Sequence, residues 1–110
     1  MKSIEAIVRV EKVNDVRDAL LKNGFTAMSL GTVVGRGEQK ERKYDQALGT
    51  EVTYDLFART YILMLVEDNK VDEAIKIIEE SAKTGTEGDG VIFVRPVEKA
   101  IKIRTGEELS

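Results

Sequence analysis

The sequence predicts an α+β domain in which one antiparallel sheet carries both helices on a single face. Three observations lead there. Short runs of alternating or continuous apolar residues are each followed by a segment whose apolar residues recur every three to four positions. The order strand, helix, strand occurs twice along the 110 residues. The two occurrences also resemble each other. RVEKVNDVRDALLKNG and LVEDNKVDEAIKIIEESAKTG both run from a strand end through Val-Glu and a polar turn into an amphipathic helix that stops at glycine. A doubled βαβ unit of this length is the ferredoxin-like βαββαβ pattern.

The elements follow in order. In SIEAIVRVE (3–11), Ile4, Ala6, Val8 and Val10 alternate with Glu5, Arg9 and Glu11, and Ile7 interrupts the polar side, so a first strand is expected. In KVNDVRDALLKNG (12–24), Val13, Val16, Leu20 and Leu21 fall on one helical stripe, and Gly24 suits the position just past a helix end. TAMSLGTVV (26–34) returns to strand, and ARTYILMLV (58–66) has the nearly continuous apolar run of a central strand. DNKVDEAIKIIEESAKTG (68–85) is the clearest helix. Asn69 is its expected cap, Asp72 lies near the first turn, Val71, Ala74, Ile75, Ile78 and Ala82 form its stripe, and Gly85 ends it. GVIFV (90–94) is a strand, and VEKAIKIRTG (97–106) a short strand or tail. Two helices on one face leave the other face bare. Its apolar side chains call for cover, for which self-association is the simplest means. A monomer with a half-polar sheet is the alternative.

Composition narrows the function. An apolar share of 42% fills a core, and 34% charged residues make a well-hydrated surface. The net charge of −3 gives no reason to expect a nucleic-acid partner. No apolar run approaches the ~18 residues of a membrane span, and MKSIEAIVRV carries a charge inside its apolar stretch, so it reads as a strand and not a signal peptide. Without cysteine there is no disulfide, thiol nucleophile or thiolate metal site. A cytoplasmic chain is the simplest reading. Histidine is also absent, which removes the commonest general base and transition-metal ligand. Binding is therefore favoured over catalysis.

Between the second and third strands lies GRGEQKERKYDQALGTEVTYD (35–55), with three glycines, nine charges and no helical apolar stripe. Compact domains rarely carry connections longer than about 12–15 residues unless these are functional or disordered. Tyr44, Val52, Tyr54, Leu56 and Phe57 lie among or beside the charges. A solvated linker has no need of such anchors, whereas a loop that docks on a partner does. Gly35 and Gly37 permit close backbone approach at a strand end, Gln39 offers an amide, and Arg59 at the far end of the loop can return to the same place. GxG alone is equally a hinge. In KTGTEGDGVIFV, the segment Thr84–Gly90 holds three glycines and no bulky residue, so its amides can form an anion-binding nest. Taken alone it suits a helix end and turn better. In IKIRTGE, Lys102 and Arg104 are spaced by two. In an extended chain they share a side and can clamp a polyphosphate, while Ile101 and Ile103 point inward. A solvated strand face is the plainer reading, and the two segments together bring the phosphate reading level with it.

GRGEQK, the long loop, TGTEGDGVIFV and the terminal IKIRTGE together resemble the nitrogen-regulatory P-II signal-transduction proteins over essentially the whole chain. The stretches TYDLFARTYILMLVEDNKVDEAIKIIEESAKTG and FVRPVEKAIKIRTGEE look most like the nitrogenase-linked NifI type among the GlnB- and GlnK-like proteins. The resemblance implies a single domain over residues 1–110 that assembles as a homotrimer. It implies ATP or ADP bound between protomers and, in many members, 2-oxoglutarate beside Mg-ATP. It also implies a protruding T-loop (36–57) that reports the bound state. Implied partners are an ammonium channel, a uridylyl- or adenylyl-transferase, a nitrogen-assimilation enzyme or nitrogenase. Carried over by position, Gly35, Gly37, Glu38 and Gln39 form the loop base, Thr84, Gly88, Asp89 and Gly90 the nucleotide cradle, and Lys102 and Arg104 the basic pair. Gln39 would touch Mg²⁺ and 2-oxoglutarate, and Arg59 would face the 2-oxoglutarate carboxylate. Val52 stands where family members modified by uridylylation carry tyrosine, and Tyr54 is out of register, so no uridylylation is expected.

Several departures make the expected cleft less positive. Val91 replaces a lysine, Thr86 another basic residue, Glu87 adds a negative charge, Glu38 stands where a basic residue is common, and Lys102 replaces an arginine and loses its fork. A close unit-charge contact is worth a few kcal/mol at an effective dielectric of ~20, so loss of the lysine would weaken triphosphate binding by about an order of magnitude or more. AMP or ADP would then be preferred. The alternatives are a divergent trimer that binds another small anion or acts as a scaffold, and an acyl-phosphate hydrolase on the same fold. The hydrolase lacks a water-positioning group, and no enzyme is expected.

Overall fold

The computed structural model describes residues 1–36 and 56–109, together with the backbone of residues 41–45 and 50–54. Strand β1 (Lys2–Arg9) leads through a 3₁₀ turn (Val10–Lys12) into helix α1 (Val13–Lys22) and on to β2 (Ser29–Gly35). Strands β3 (Glu41–Asp45) and β4 (Thr50–Tyr54) pair with each other in a separate two-stranded sheet. Strand β5 (Phe57–Val66) leads through a second 3₁₀ turn (Asp68–Lys70) into α2 (Val71–Ala82) and β6 (Gly90–Pro96). Two-residue strands β7 (Ala100–Ile101) and β8 (Glu108–Leu109) close a C-terminal hairpin.

The main sheet has the order β2-β5-β1-β6, and every pairing is antiparallel. Each βαβ unit skips one strand position, which is the ferredoxin-like arrangement expected. Alternation along β1 and β5 puts Ile4, Ala6, Val8, Ile62, Met64 and Val66 on one face, where they are buried against Val16 and Leu20 of α1 and Ala74, Ile78 and Ala82 of α2. Ile4, Leu20, Ile62, Ile78 and Val16 are fully enclosed, and burial of a side chain of that size contributes roughly 1.5–3 kcal/mol.

Gly24 takes a positive φ (+89°) just past α1, as expected, and its N–H donates to the Leu21 carbonyl at 3.1 Å. Other details differ from expectation. Asn69 does not cap α2. It lies in the 3₁₀ turn, and the N-cap is Lys70, without a side-chain hydrogen bond. The 3₁₀ turn instead satisfies the N–H groups of Lys70 and Val71 through the Glu67 and Asp68 carbonyls. Helix α2 ends at Ala82, three residues before Gly85. Val10 is exposed in the 3₁₀ turn and does not continue the inward row of β1. Where the sequence predicts a long loop, the chain folds back as β3 and β4 with Glu41 opposite Tyr54 and Asp45 opposite Thr50. Backbone pairing within a hairpin requires no buried stripe, so charge-rich composition does not reveal it. Both helices, of 10 and 12 residues, are too short to cross a membrane.

Candidate ligand-binding site

The first residues of the segment that joins α2 to β6 are held by a carboxylate. Asp89 Oδ2 accepts hydrogen bonds from the backbone N–H groups of Thr84 (2.9 Å) and Gly85 (2.8 Å). Its Oδ1 accepts from the Thr84 hydroxyl and from Arg9 Nε (3.0 Å). The Thr84 and Thr86 hydroxyls lie 2.8 Å apart. The donated hydrogen bonds, chiefly that of the Thr84 hydroxyl, hold the Asp89 carboxyl well below the usual carboxylate range, against an opposing effect of partial burial. Gly85, Gly88 and Gly90 all have positive φ. At Gly90 the requirement is absolute: β6 approaches β1 so closely that a Cβ would sit 1.8 Å from the Ile7 carbonyl oxygen.

Register brings further expected residues to this end of the sheet. Gly90 lies opposite Val8 on β1, Arg9 opposite Arg59 on β5, and Gly35 opposite Phe57. Gly35, Arg59 and the Thr84–Gly90 loop therefore share one end, the end from which the β3–β4 hairpin departs. The Arg59 guanidinium donates to the Ala58 carbonyl (2.9 Å) and stacks 5.1 Å from the centre of the Phe57 ring. Beside the loop runs a groove of about 400 Å³ walled by Ile7, Ile78, Ala82, Val91 and Ile92, within the ~300–1,000 Å³ usual for small-molecule sites. Val91, where the resemblance leads one to expect lysine, is half-exposed and directly opposite Ile7. Gly37, Glu38 and Gln39 lie outside the described residues. Among the described residues no group of three acidic residues is arranged to hold a metal ion.

Lys102 and Arg104 are not in an extended strand. β7 stops at Ile101, residues 103–105 turn, and the Gly106 N–H returns to the Lys102 carbonyl at 2.8 Å. Alternation by two therefore does not apply to them. Ile103, expected inward, is 99% exposed, and Ile101 is 47% exposed. The hairpin leaves from the Pro96 end of β6, whereas the glycine loop enters at Gly90. Seven strand residues separate those ends by about 20 Å. Among the described residues neither cation makes a hydrogen bond or ion pair to the loop.

Sequence reasoning missed Arg9. Its Nη2 donates to the Thr86 hydroxyl (3.1 Å) and the Glu87 carbonyl (2.5 Å), beside the bond from Nε to Asp89. The only local signal was a cation closing the first strand. Its partners lie 77–80 residues away.

A family model described as nitrogen regulatory protein P-II matches residues 1–107. The chain belongs to the P-II family. It is 44% identical over 107 residues, 97% of each chain, to the nitrogen fixation nifHD region GlnB-like protein 1 of Methanothermococcus thermolithotrophicus. It is 40% identical over 108 residues to the nitrogen regulatory protein P-II of Microchaete diplosiphon, covering 98% of this chain and 96% of that one. Identity to the P-II protein of Pasteurella multocida is also 44%, over 108 residues. Equal identity to a nifHD-region protein and to a bacterial P-II places the chain in the P-II family without selecting a branch. P-II proteins are regulators of nitrogen metabolism, which agrees with the expectation of a regulatory protein.

Proposed function

We propose that this P-II protein is a cytoplasmic homotrimeric sensor whose ligand is an adenine nucleotide, read together with 2-oxoglutarate. The observation that carries the proposal is the Thr84–Gly90 loop. One carboxylate and three left-handed glycines hold it open at the sheet end from which the β3–β4 hairpin leaves. Backbone amides in such a loop suit a phosphate, and the adjacent apolar groove suits the base. Lys102 and Arg104 leave the sheet at the opposite end of β6 and are exposed. In a homotrimer they would be offered to the loop of a neighbouring copy, so the pocket would be complete only between copies. The uncovered sheet face favours such assembly, since Leu65, Val91 and Phe93 are each more than 40% exposed there.

Arg59 would meet the 2-oxoglutarate carboxylate beside the hairpin base. Mg²⁺ would arrive on the nucleotide phosphates, with Gln39 as its expected protein contact. Ligand binding shifts the population of hairpin conformations, and residues 36–57 then grip or release a partner such as an ammonium channel, a nitrogen-assimilation enzyme or nitrogenase. Val91 favours a variant of this reading, in which the triphosphate gains little over the diphosphate because no lysine follows the loop.

The test is titration with ATP, ADP, AMP and 2-oxoglutarate, read by thermal unfolding and calorimetry. A ligand at a hundred times its Kd adds about 2.7 kcal/mol to stability. We expect ADP to stabilise at least as much as ATP. Absence of any shift with all three nucleotides would refute the nucleotide reading and leave the scaffold alternative.

A further inference from the structure

We propose that Arg9 is the positioning residue that sets the shape of the Thr84–Gly90 loop, so that anion capture by the loop depends on a side chain from the opposite end of the sequence. The inference rests on the nucleotide reading above for the identity of the anion, but not for the action of Arg9 on the loop.

Arg9 closes β1 one residue beyond Val8, the partner of Gly90. It lies on the face of the sheet away from the helices, and its side chain is only 14% exposed. The guanidinium reaches three successive regions of the loop at once: Asp89 through Nε, and the Thr86 hydroxyl and Glu87 carbonyl through Nη2. Asp89 by itself secures the first residues, Thr84 and Gly85. Among the described residues, the ties from Thr86 and Glu87 to the sheet run through Arg9. Among the described residues, the outer part of the loop without it keeps only the contacts of Thr86 with the Thr84 hydroxyl, one of them at 3.4 Å.

The charges agree with this role. Glu11 lies 3.8 Å from Arg9 Nη1, and Glu87 and Asp89 belong to the loop itself. Directly across from Arg9 stands Arg59, and like charges at opposed strand positions are unfavourable. Contact with the acidic loop offsets that cost. The donors of Nε and Nη2 are committed to the loop, and Nη1 faces Glu11. Arg9 therefore acts on a ligand through the backbone it shapes and not as a phosphate contact. Lysine cannot replace it in full, because one ammonium lacks the planar fork that serves two directions.

The experiment compares the intact chain with Arg9→Ala, Arg9→Lys and, as a control, Arg17→Ala, whose side chain is exposed on α1 and pairs with its neighbour Asp18. The first readout is amide hydrogen exchange over residues 84–90 without ligand. The second is calorimetric affinity for AMP, ADP and ATP. In Arg9→Ala, loop exchange should rise about tenfold or more with α1 unchanged, and all three affinities should fall by a similar factor of about ten. Arg9→Lys should recover part of both, and it carries the test with a smaller effect if the alanine variant does not fold. Unchanged loop exchange in the folded variants overturns the proposal. So does a loss that grows with phosphate number and falls mainly on ATP, which would make Arg9 a direct charge contact. If the intact chain binds no adenine nucleotide, the functional reading fails and the exchange measurement alone still decides whether Arg9 holds the loop.

Discussion

Gly90 opens β6 at a close approach to β1, with φ +114° and the Ile7 carbonyl oxygen in the space a side chain would need. The Gly90→Ala substitution should cost about 2–4 kcal/mol, through an unfavourable backbone conformation and displacement of β6 from β1. A urea titration by circular dichroism measures it, and a loss below about 0.5 kcal/mol, the range of neutral surface changes, would show that the strand end yields. At this scale the glycine segment and its aspartate were legible, because Thr-Gly-Thr-Glu-Gly-Asp-Gly is locally unusual. The role of Asp89 was only half legible. Both of its oxygens accept hydrogen bonds within the protein, so it shapes the cradle from inside. Arg9 was not legible, since nothing local tells the end of one strand that a loop from the other half of the chain will rest on it.

Helix α2 illustrates what periodicity conveys about an element. Ala74, Ile78 and Ala82 recur every four residues, and all three are buried. Ile78→Ala should destabilise the fold by about 2–5 kcal/mol, seen as a lower urea midpoint with an unchanged slope. A loss under about 1 kcal/mol would mean that α1 and the sheet close over the vacancy. Helix ends were less accurately legible than helix faces. The 3₁₀ turn took the place of the expected Asn69 cap, because a turn and a side chain satisfy the same backbone groups. The C-terminal segment failed for a different reason. Alternation by two holds only while the chain stays extended, and the turn at residues 103–105 ends it, which leaves Ile103 in solvent.

Over the whole molecule, the face of the sheet opposite the helices carries the main conflict with a solitary existence. Ile7, Tyr61, Leu63, Leu65, Val91 and Phe93 share it by register. Among them Glu5 accepts a hydrogen bond from the Tyr61 hydroxyl (2.5 Å) and pairs with Arg95 at 2.8 Å. The phenol is held protonated above its ordinary pKa, chiefly by that hydrogen bond to Glu5. Leu65 stands opposite Ser3, so Leu65→Glu adds a charge to this face without placing it across from another carboxylate. Sedimentation should show the proposed assembly of three chains for the unaltered protein and a single chain of 12.2 kDa for the variant. Persistence of the larger species would mean that assembly uses another surface. By itself the sequence determined the element order, the inward stripes, the glycine-rich turn and membership of the family, because each of these is written in neighbouring residues within a turn or two. Only the tertiary structure decided that Arg9 lies beneath the loop, that Gly35 and Arg59 share its end of the sheet, and that Lys102 and Arg104 depart from the other. The pairing of β1 with β5 and β6 joins positions dozens of residues apart, and that register is set by the packing of the whole sheet against its two helices.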